Sequence, residues 1–425
     1  MVDSTVEEAR RGRVSSDLAW LVDLLWGPAV EAGVARVRTD GTVPEGYVAV
    51  ERFAVVPSVA RPRFLVPLAS RRVAWASTSR YNALRPARVR ALRATVGAGM
   101  RLGVGQLALR DRLVVCVARG TGPRPLEELL ISEHLRQALG VSELLMGIGV
   151  SEPHPNRKPT LQLFDPTGQP LGYVKVGWSE LTRQLVQNEA AALRTCVAHP
   201  LPDLEVPRLL GSGRWNGLEL AITSPLPVGV RRHRPLLRPP PVAVSYQVAA
   251  AGGTRVLPLA ASPYWSEVRR RVRTAAGAEG GALAATLERY LGFLERRCGA
   301  ARLAFGRWHG DWVPWNLAWQ AGRLHAWDWE HSGDDAPLGF DLLHWQFQVA
   351  FVTQRRTAAE AAARCAALAL PRLVELGVPQ PAAGDLPSLY LLEMYLRGHR
   401  MKAAGGGWNP RFHPSMLQVL ADWMA

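Results

Sequence analysis

The chain has 425 residues with 48% apolar and 20% charged side chains, a composition typical of globular proteins and not of disordered ones. It contains no run of about 18 uncharged apolar residues, so we expect no transmembrane helix. The N-terminal residues mix acids with arginines and lack the apolar core of a signal peptide, which predicts a cytoplasmic protein. The four cysteines are scattered and have no histidine at metal-binding spacing, so we expect neither disulfides nor a zinc site.

The net charge of +15 is concentrated in one segment of the chain. The stretch from Arg52 to Arg124 contains fifteen arginines and a single acidic residue, whereas the rest of the chain is nearly neutral. Such a segment favours anionic partners, so weak contact with an anionic surface is one expectation. Only three of the 51 basic residues are lysines, namely Lys158, Lys175 and Lys402. Because arginine is used nearly everywhere else, each remaining lysine is a candidate functional residue.

The first 140 residues predict helices and strands but contain no motif with an assignable chemistry. A helix is predicted from residue 17 and is interrupted at Gly27-Pro28, and a second covers residues 125–139 and ends at Gly140. Strands are predicted at 47–56, 64–68 and 112–117. A short helix from Pro86 would end at Gly97 and dock on a neighbouring surface through an apolar face bordered by arginines. That face consists of Val89, Leu92 and Val96, with Arg88 and Arg93 beside it.

From residue 144 the pattern changes to three strands, a helix and a fourth strand. The strands are predicted at 144–150, 159–164, 172–176 and 218–222, with a tight turn at Asp165-Pro166-Thr167-Gly168. Ser179 is predicted to cap the helix at 180–197. An irregular Pro/Arg/Ala-rich stretch follows to about residue 262, and the chain beyond Tyr264 is predicted to be helical except for a hairpin region at 307–329.

The strongest chemical signal is the run His309-Gly310-Asp311-Trp312-Val313-Pro314-Trp315-Asn316, which is followed by the predicted hairpin. Asp328 lies in the second strand of that hairpin, predicted at 324–329. Two carboxylates and one amide in this arrangement suit phosphoryl transfer. One aspartate orients and deprotonates the attacking hydroxyl, while the other and the asparagine hold Mg²⁺ against the nucleotide phosphates.

The motif H-G-D-x-x-x-x-N followed by D-W-E resembles the aminoglycoside phosphotransferase and choline kinase family, small-molecule relatives of the protein kinases. The resemblance covers residues 144–425. It implies that Asp311 is the catalytic base, that Asn316 and Asp328 are Mg²⁺ ligands, and that His309 supports the loop. Asp341 resembles a buried aspartate that braces this loop in the family.

Lys175 and Glu189 are further candidate catalytic residues. Strand alternation places Lys175 on the face opposite to Val174 and Val176, and the resemblance implies that this face covers the nucleotide and that Lys175 binds its phosphates. The alternative for Lys175 is a lysine that keeps an edge strand soluble. Glu189 lies on the apolar face of its helix, where a lone carboxylate would be costly, so an ion pair with Lys175 is expected.

Other residues are expected to line the nucleotide or acceptor site. Gly147 and Gly149 would cover the phosphates, although no G-x-G-x-x-G is present and both could equally be turn glycines. The backbone of the expected hinge, Ile222-Thr223-Ser224, would bind the purine edge. Seven tryptophans lie between residues 308 and 345, and Trp312 and Trp315 are predicted to be either core residues or a stacking wall for a sugar-like acceptor.

These observations predict an α+β, two-lobed protein-kinase-like fold with an extra N-terminal region. The predicted segments are an N-terminal extension (1–140), a smaller nucleotide-binding lobe (141–226) and a larger, mainly helical catalytic and acceptor-binding lobe (227–425). The predicted activity is transfer of the γ-phosphate of ATP or GTP to a hydroxyl of a sugar, an aminoglycoside or an amino alcohol. The alternatives are a catalytically silent kinase-like binding protein and an anion- or membrane-surface-binding protein that acts through its basic N-terminal region. No nucleic-acid-binding motif is recognisable.

Overall fold

A computed structural model describes residues 15–79, 84, 87–103, 109–151, 154, 156–233, 238–406 and 411–424. Helices and largely antiparallel sheets are both extensive, which confirms the predicted α+β class. The helices are α1 (Ser16–Glu31), α2 (Arg71–Ser79), α3 (Ala87–Leu102), α4 (Pro123–Leu129), α5 (Ile131–Leu139), α6 (Glu180–Ala198), α7 (Val242–Ala250), α8 (Pro263–Glu279), α9 (Gly281–Cys298), α10 (Phe340–Gln348), α11 (Ala358–Glu375), α12 (Gln380–Met401) and α13 (His413–Asp422).

Sixteen strands belong to three sheets of nine, four and three strands within the part of the chain that is described. The strands are β1 (Ala35–Arg38), β2 (Tyr47–Ser58), β3 (Arg61–Pro67), β4 (Arg112–Ala118), β5 (Leu145–Gly149), β6 (Thr160–Phe164), β7 (Pro170–Gly177), β8 (Leu204–Glu205), β9 (Leu209–Trp215), β10 (Leu218–Thr223), β11 (Arg231–Arg232), β12 (Arg255–Pro258), β13 (Arg302–Trp308), β14 (Leu317–Gln320), β15 (Arg323–Ala326) and β16 (Gly333–Pro337).

The chain forms two compact units, each built from two segments. The first unit comprises Met1–Gln187 and Pro207–Val230, and the second comprises Asn188–Val206 and Arg231–Ala425. Helix α6 therefore contributes its first half to one unit and its second half to the other. The structure thus divides the chain at other positions than the predicted segments 1–140, 141–226 and 227–425, because the N-terminal residues belong to the same unit as β5, β6 and β7.

The first unit is built on the nine-stranded sheet, whose strand order is β1-β4-β2-β3-β5-β6-β7-β10-β9. Strands β3 and β5 pair at Phe64↔Gly149 and Leu65↔Ile148, which makes the N-terminal strands continuous with the later ones. Alternate residues of the strands point to one apolar core, which also receives Leu21 and Leu25 of α1. The N-terminal segment is therefore part of the core of this unit.

Helix α1 continues past the predicted interruption at Gly27-Pro28 and ends at Glu31. Pro28 lacks the N–H of a helical hydrogen bond, but only one further turn follows it, and the N–H of Ala32 donates to its carbonyl oxygen. Trp26 and Ala29 are fully buried on either side of it. Packing of these residues outweighs the unfavourable proline.

The single helix predicted at 125–139 is two helices, α4 and α5, separated at Leu130. Leu130 has an extended backbone with φ −106° and ψ 122°, which interrupts the helix and turns the chain. Its side chain is buried. Gly140 ends α5 in the left-handed conformation, as its position in the sequence predicted.

Helix α3 packs on α2, although it runs past the predicted end at Gly97 to Leu102. A Cβ at Gly97 would lie 2.8 Å from Oγ1 of Thr78, so the missing side chain lets the two helices approach closely. Arg93 donates hydrogen bonds to the carbonyl oxygens of Ser77 and Thr78, whereas Leu92 is exposed. The packed face is therefore rotated from the predicted one. Pro86 and the side chain of Arg88 lie outside the described residues.

The second unit combines a large helical core with two small sheets. The four-stranded sheet has the order β11-β14-β15-β8, and the three-stranded sheet has the order β12-β13-β16. The segment predicted to be irregular contains α7 and β12. Helices α8 to α13 enclose a core with six fully buried aromatic side chains: Trp265, Tyr290, Phe340, Phe347, Tyr390 and Tyr395. Among the helices described, none combines the length and the hydropathy needed to cross a bilayer.

Candidate functional site

The predicted hairpin is present in the second unit as β14 and β15, and it positions Asp328 differently from the prediction. Strand β15 ends at Ala326, so the prediction that Asp328 lies within the strand is wrong. Asp328 instead has a left-handed backbone with φ 72° and ψ 55° and precedes a short 3₁₀ turn at Trp329–His331. Aspartate tolerates this conformation better than most residues, and such strain is common at functional sites.

Asp311 lies in the loop between β13 and β14, and both oxygens of its carboxylate accept hydrogen bonds. Oδ2 accepts from Nδ2 of Asn316 at 2.8 Å, and Oδ1 accepts from Nε2 of His344 at 3.1 Å. Burial opposes ionisation of this carboxyl, but the hydrogen bond from His344, together with electrostatic interactions with His344, His331 and His309, outweighs it and holds the pKa of Asp311 well below its usual range. The side chain is still 26% exposed, so a ligand can reach a carboxylate that is ionised at neutral pH.

Asn316 links the loop to the hairpin. Its Nδ2 donates to the backbone oxygen of Asp311 at 3.1 Å as well as to the carboxylate, and its own backbone oxygen accepts from the N–H of Trp327 at 3.2 Å. Because the amide nitrogen is engaged with Asp311, the amide oxygen is the atom that remains to bind a cation. The backbone contact with Trp327 places Asn316 beside the residue that precedes Asp328.

His309 is fully buried beneath the loop and packs against Trp329, with ring centroids 4.4 Å apart. Its Nδ1 accepts from the N–H of Asp311 at 3.2 Å, so Nε2 carries the proton and donates to the oxygen of Trp327 at 3.1 Å. Burial lowers the pKa of His309 to about 4, which keeps the ring neutral in this arrangement. The ring thus joins the loop to the end of the hairpin.

Asp341 and Arg397 hold the same loop from two helices. The N–H groups of His309 and Gly310 donate to the Asp341 carboxylate at 2.8 and 3.1 Å. Burial nevertheless raises the pKa of Asp341 to about 7. Arg397 donates to the carbonyl oxygen of Gly310 at 2.6 Å and lies over the ring of Trp308. The N–H groups of His309 and Gly310 and the carbonyl oxygen of Gly310 thus each have a side-chain partner.

Three carboxylates converge next to the hairpin. Oxygen atoms of Glu189, Asp328 and Glu330 all lie within 4.8 Å of one another. The neighbouring Asn188 donates to the backbone oxygens of Glu330 and Ser332 at 2.8 and 2.7 Å, which fixes this half of α6 against the segment. All the potential ligands are oxygen atoms, a set that fits a hard divalent cation such as Mg²⁺. Sequence reasoning assigned no role to Glu330, although the D-W-E motif contains it.

In the first unit, several predicted nucleotide-binding residues share one face of the sheet. Four neighbouring strands contribute directly opposed residues: Gly149 of β5, Thr160 of β6, Lys175 of β7 and Ala221 of β10. Directly opposed residues of antiparallel strands point to the same face, so Lys175 and Gly149 lie in one row. Val174 and Val176 are fully buried on the other face, as the alternation predicted.

The remaining predicted residues of this unit have different environments. Gly147 faces α2, where an added Cβ would lie 3.2 Å from Cβ of Ser77, so close packing is one reason for a glycine here. Ile222 is buried in the core and has only its backbone to offer a ligand. Thr223 is partly exposed, and Ser224 accepts from the N–H of Arg208 at 2.9 Å while donating its own N–H to the Arg208 oxygen.

The two tryptophans of the loop differ in burial. Trp312 is fully buried and meets the His309 ring edge to face, so it is a core residue and cannot stack on an acceptor. Trp315 is partly exposed. His344 and Tyr390, which form a hydrogen-bonded chain with Asp311, were not identified from the sequence. A histidine three residues after Asp341 on an apolar helix carries little signal of its own.

No protein-family model matches the sequence, and no curated protein matches it. Solved structures similar to this one include a thermostable mutant of aminoglycoside phosphotransferase APH(4)-Ia in ternary complex with ADP and hygromycin B, with 13% identity and a TM-score of 0.48 over 69% of this chain and 97% of that one. A fructosamine-3-kinase from Haemophilus somnus 129PT has 12% identity and a TM-score of 0.43 over 69% and 96% of the two chains. The gentamicin complex of APH(2")-IIa has 10% identity and a TM-score of 0.43 over 68% and 95%. Each of these similarities is distant, with an identity of 13% or less and a TM-score of 0.48 or less.

Proposed function

We propose that this protein transfers the γ-phosphate of ATP or GTP to a hydroxyl group of a small molecule, with a sugar, an aminoglycoside or an amino alcohol as the acceptor class. The observation that supports this most strongly is the Asp311 carboxylate, which is ionised, oriented by two hydrogen bonds and open to solvent. A carboxylate of this kind can accept the hydrogen bond of an acceptor hydroxyl and then its proton.

In the proposed reaction, the hydroxyl oxygen attacks the γ-phosphorus while the bond from that phosphorus to the β,γ-bridging oxygen breaks. The proton of the hydroxyl passes to Asp311, and the nucleoside diphosphate leaves with the bridging oxygen. Asp311 therefore has to lie within hydrogen-bond distance of the attacking hydroxyl and remain unprotonated beforehand. The hydrogen bonds from Asn316 and His344 support both requirements.

Asn316 and Asp328 are the proposed ligands of Mg²⁺, and Glu189 and Glu330 contribute further oxygen atoms close to Asp328. When bound, the ion would offset negative charge on the nucleotide phosphates. The left-handed backbone at Asp328 supports this role, since it turns the side chain out of the β-hairpin pattern. Glu189, for which an ion pair with Lys175 was expected, is thus also a candidate Mg²⁺ ligand.

The proposed nucleotide contacts in the first unit come from Lys175 and Gly149, which share one face of the sheet, and from the backbone of Ile222, Thr223 and Ser224. Lys175 has the compact ammonium group that binds phosphate oxygens as a point charge. Gly147 remains a candidate for the same face, in addition to its packing against Ser77.

The test is phosphate transfer by the purified protein with Mg²⁺, ATP or GTP, and a panel of sugars, aminoglycosides and amino alcohols. Asp311→Asn should lower turnover by about 10²- to 10⁴-fold, the usual effect of removing a positioned base, with nucleotide affinity retained. Asp422→Asn changes an exposed aspartate of the same unit and is the matched control, with turnover expected to be unchanged.

Two results would contradict the proposal. Near-normal turnover of Asp311→Asn would show that Asp311 is not the catalytic base. Nucleotide binding by the wild-type protein without transfer to any acceptor or to water would favour the catalytically silent binding protein.

A further inference from the structure

We propose that His344 is a positioning residue for the Asp311 carboxylate and that Tyr390 selects the tautomer of His344 that can do so; this inference rests on the proposed function. His344 is on α10 and Tyr390 is on α12, and both side chains are almost completely buried. Nε2 of His344 lies 3.1 Å from Oδ1 of Asp311, and Nδ1 of the same ring lies 3.0 Å from the hydroxyl of Tyr390.

The direction of both hydrogen bonds follows from which groups can donate. An ionised carboxylate only accepts hydrogen bonds, so Nε2 of His344 must carry the proton that it shares with Asp311. A neutral imidazole then has an acceptor at Nδ1, and the Tyr390 hydroxyl must donate to it. The three groups form a chain with a single consistent direction, from Tyr390 through His344 to Asp311.

The imidazole acts in this chain as a neutral donor. Burial lowers the pKa of His344 below its ordinary value, and burial raises the pKa of Tyr390 far above its own, so neither group ionises near neutral pH. The contribution of His344 to Asp311 is therefore mainly directional and does not require a positive charge.

The same helix holds the catalytic loop at two points. Asp341 and His344 are three residues apart and so lie on one face of α10, which is the face that meets the loop. Asp341 binds the backbone of the turn before Asp311, and His344 binds the side chain of Asp311. Backbone position and carboxylate orientation are thus set by one rigid helix.

The arrangement leaves room for the acceptor. Each carboxylate oxygen can accept two hydrogen bonds, and His344 and Asn316 use one on each. One site on each oxygen remains for the hydroxyl of an acceptor. Rotation of the carboxylate would break at least one of the two hydrogen bonds, so the open sites keep a fixed direction.

The first experiment measures turnover of Mg²⁺-ATP, with water as the acceptor, in His344→Leu, His344→Gln and Tyr390→Phe. His344→Leu should lower kcat by about 10²-fold with the KM for ATP unchanged, the scale expected when a reacting group is misplaced by about 1 Å. His344→Gln keeps an N–H donor near the position of Nε2 and should recover most of the lost activity. His134→Leu, which alters a half-buried histidine packed on Trp215 in the first unit, is the matched control and should retain full activity.

The second experiment reads the tautomer directly and needs no catalysis. Long-range ¹⁵N–¹H correlation spectra of the ¹⁵N-histidine-labelled full chain should show His344, assigned by its loss in His344→Gln, as a neutral ring protonated at Nε2. In Tyr390→Phe the spectrum should show a mixture of both neutral tautomers, because Nδ1 has lost its donor.

The inference is overturned if His344 is protonated at Nδ1 alone in the wild-type protein. It is also overturned if His344→Leu turns over normally, or if His344→Gln is as inactive as a correctly folded His344→Leu. A wild-type protein that transfers phosphate neither to water nor to any acceptor of the panel would contradict the proposed function instead, and the tautomer measurement does not depend on that activity. The two failures are therefore distinguishable.

Discussion

Gly310→Ala should destabilise the second unit by two separable effects. Gly310 has φ +80°, a conformation that costs an alanine about 1–2 kcal/mol. The added Cβ would also lie 2.1 Å from the backbone oxygen of His331 and 2.6 Å from its carbonyl carbon, so one of the two backbone segments must move. Inserting a methyl group into a packed site typically costs about 1–3 kcal/mol. Together the two effects predict a loss of about 2–5 kcal/mol in the free energy of unfolding.

Gly322→Ala is the matched control for the first effect. Gly322 has φ +81° in the turn between β14 and β15, and no described atom lies within 4 Å of the Cβ that alanine would add. This substitution should therefore cost only the conformational penalty. The difference between the two variants, about 1–3 kcal/mol, measures the contact of Gly310 with the His331 carbonyl.

Urea unfolding of the wild-type protein and both variants checks this prediction. Both glycines belong to the second unit, so the same transition reports on each, and the m-value should stay constant. Gly310→Ala should also lower turnover, because its N–H donates to Asp341 and it directly precedes Asp311. Equal destabilisation by Gly310→Ala and Gly322→Ala, with activity retained in both, would refute the reasoning.

Two further predictions concern the first unit. Burial raises the pKa of Glu51 from 4.5 to about 7, so between these values the folded protein holds a proton that the unfolded chain has lost. Glu51 should therefore make the free energy of unfolding fall by up to about 1.4 kcal/mol per pH unit as pH rises through this window. Urea titrations should show a slope reduced by this amount in Glu51→Gln and the wild-type slope in Glu45→Gln, an exposed control; an unchanged slope in both would contradict the assignment. Lys175→Arg should weaken binding of an ATP analogue in calorimetric titrations, since a planar guanidinium does not replace a compact ammonium, whereas Lys402→Arg should not. Unchanged affinity and turnover in Lys175→Arg would contradict a phosphate-binding role for Lys175; the alternative of a solubilising lysine on an edge strand does not apply, because β7 lies between β6 and β10.

Features that depend on local sequence could be predicted. The loop from His309 to Asn316 carries its chemistry within eight residues, and the alternation around Lys175 depends only on its neighbours in the strand. The turn at residues 165–168 is fixed by Asp165, whose carboxylate accepts from the N–H groups of Thr167 and Gln169. In each case the decisive contacts join residues that are close in the chain.

Features that depend on pairing between segments far apart in the chain could not be predicted from the sequence. The N-terminal strands join the sheet through the pairing of residues 64–65 with 148–149, and nothing in either segment identifies its partner. Strand β16 contains two aspartates and a proline, which disfavour strands, and it forms because β13 offers it a partner. The backbone conformation of Asp328 and the contact of His344 with Asp311 likewise depend on where the hairpin and the helices pack.

The discontinuous first unit has a consequence for how the protein is made on the ribosome. Strand β10 lies between β7 and β9 in the sheet, but it is synthesised only after the second half of α6 and β8, which belong to the other unit. At about 5–20 residues per second, the interval from the end of β7 to the end of β10 lasts roughly 2 to 9 s. During that interval the nascent chain exposes one side of β7 as an unpaired edge, which is a template for mispairing with other chains. Correct folding of this unit therefore competes with aggregation in a defined window of translation, which closes when residues 218–223 emerge.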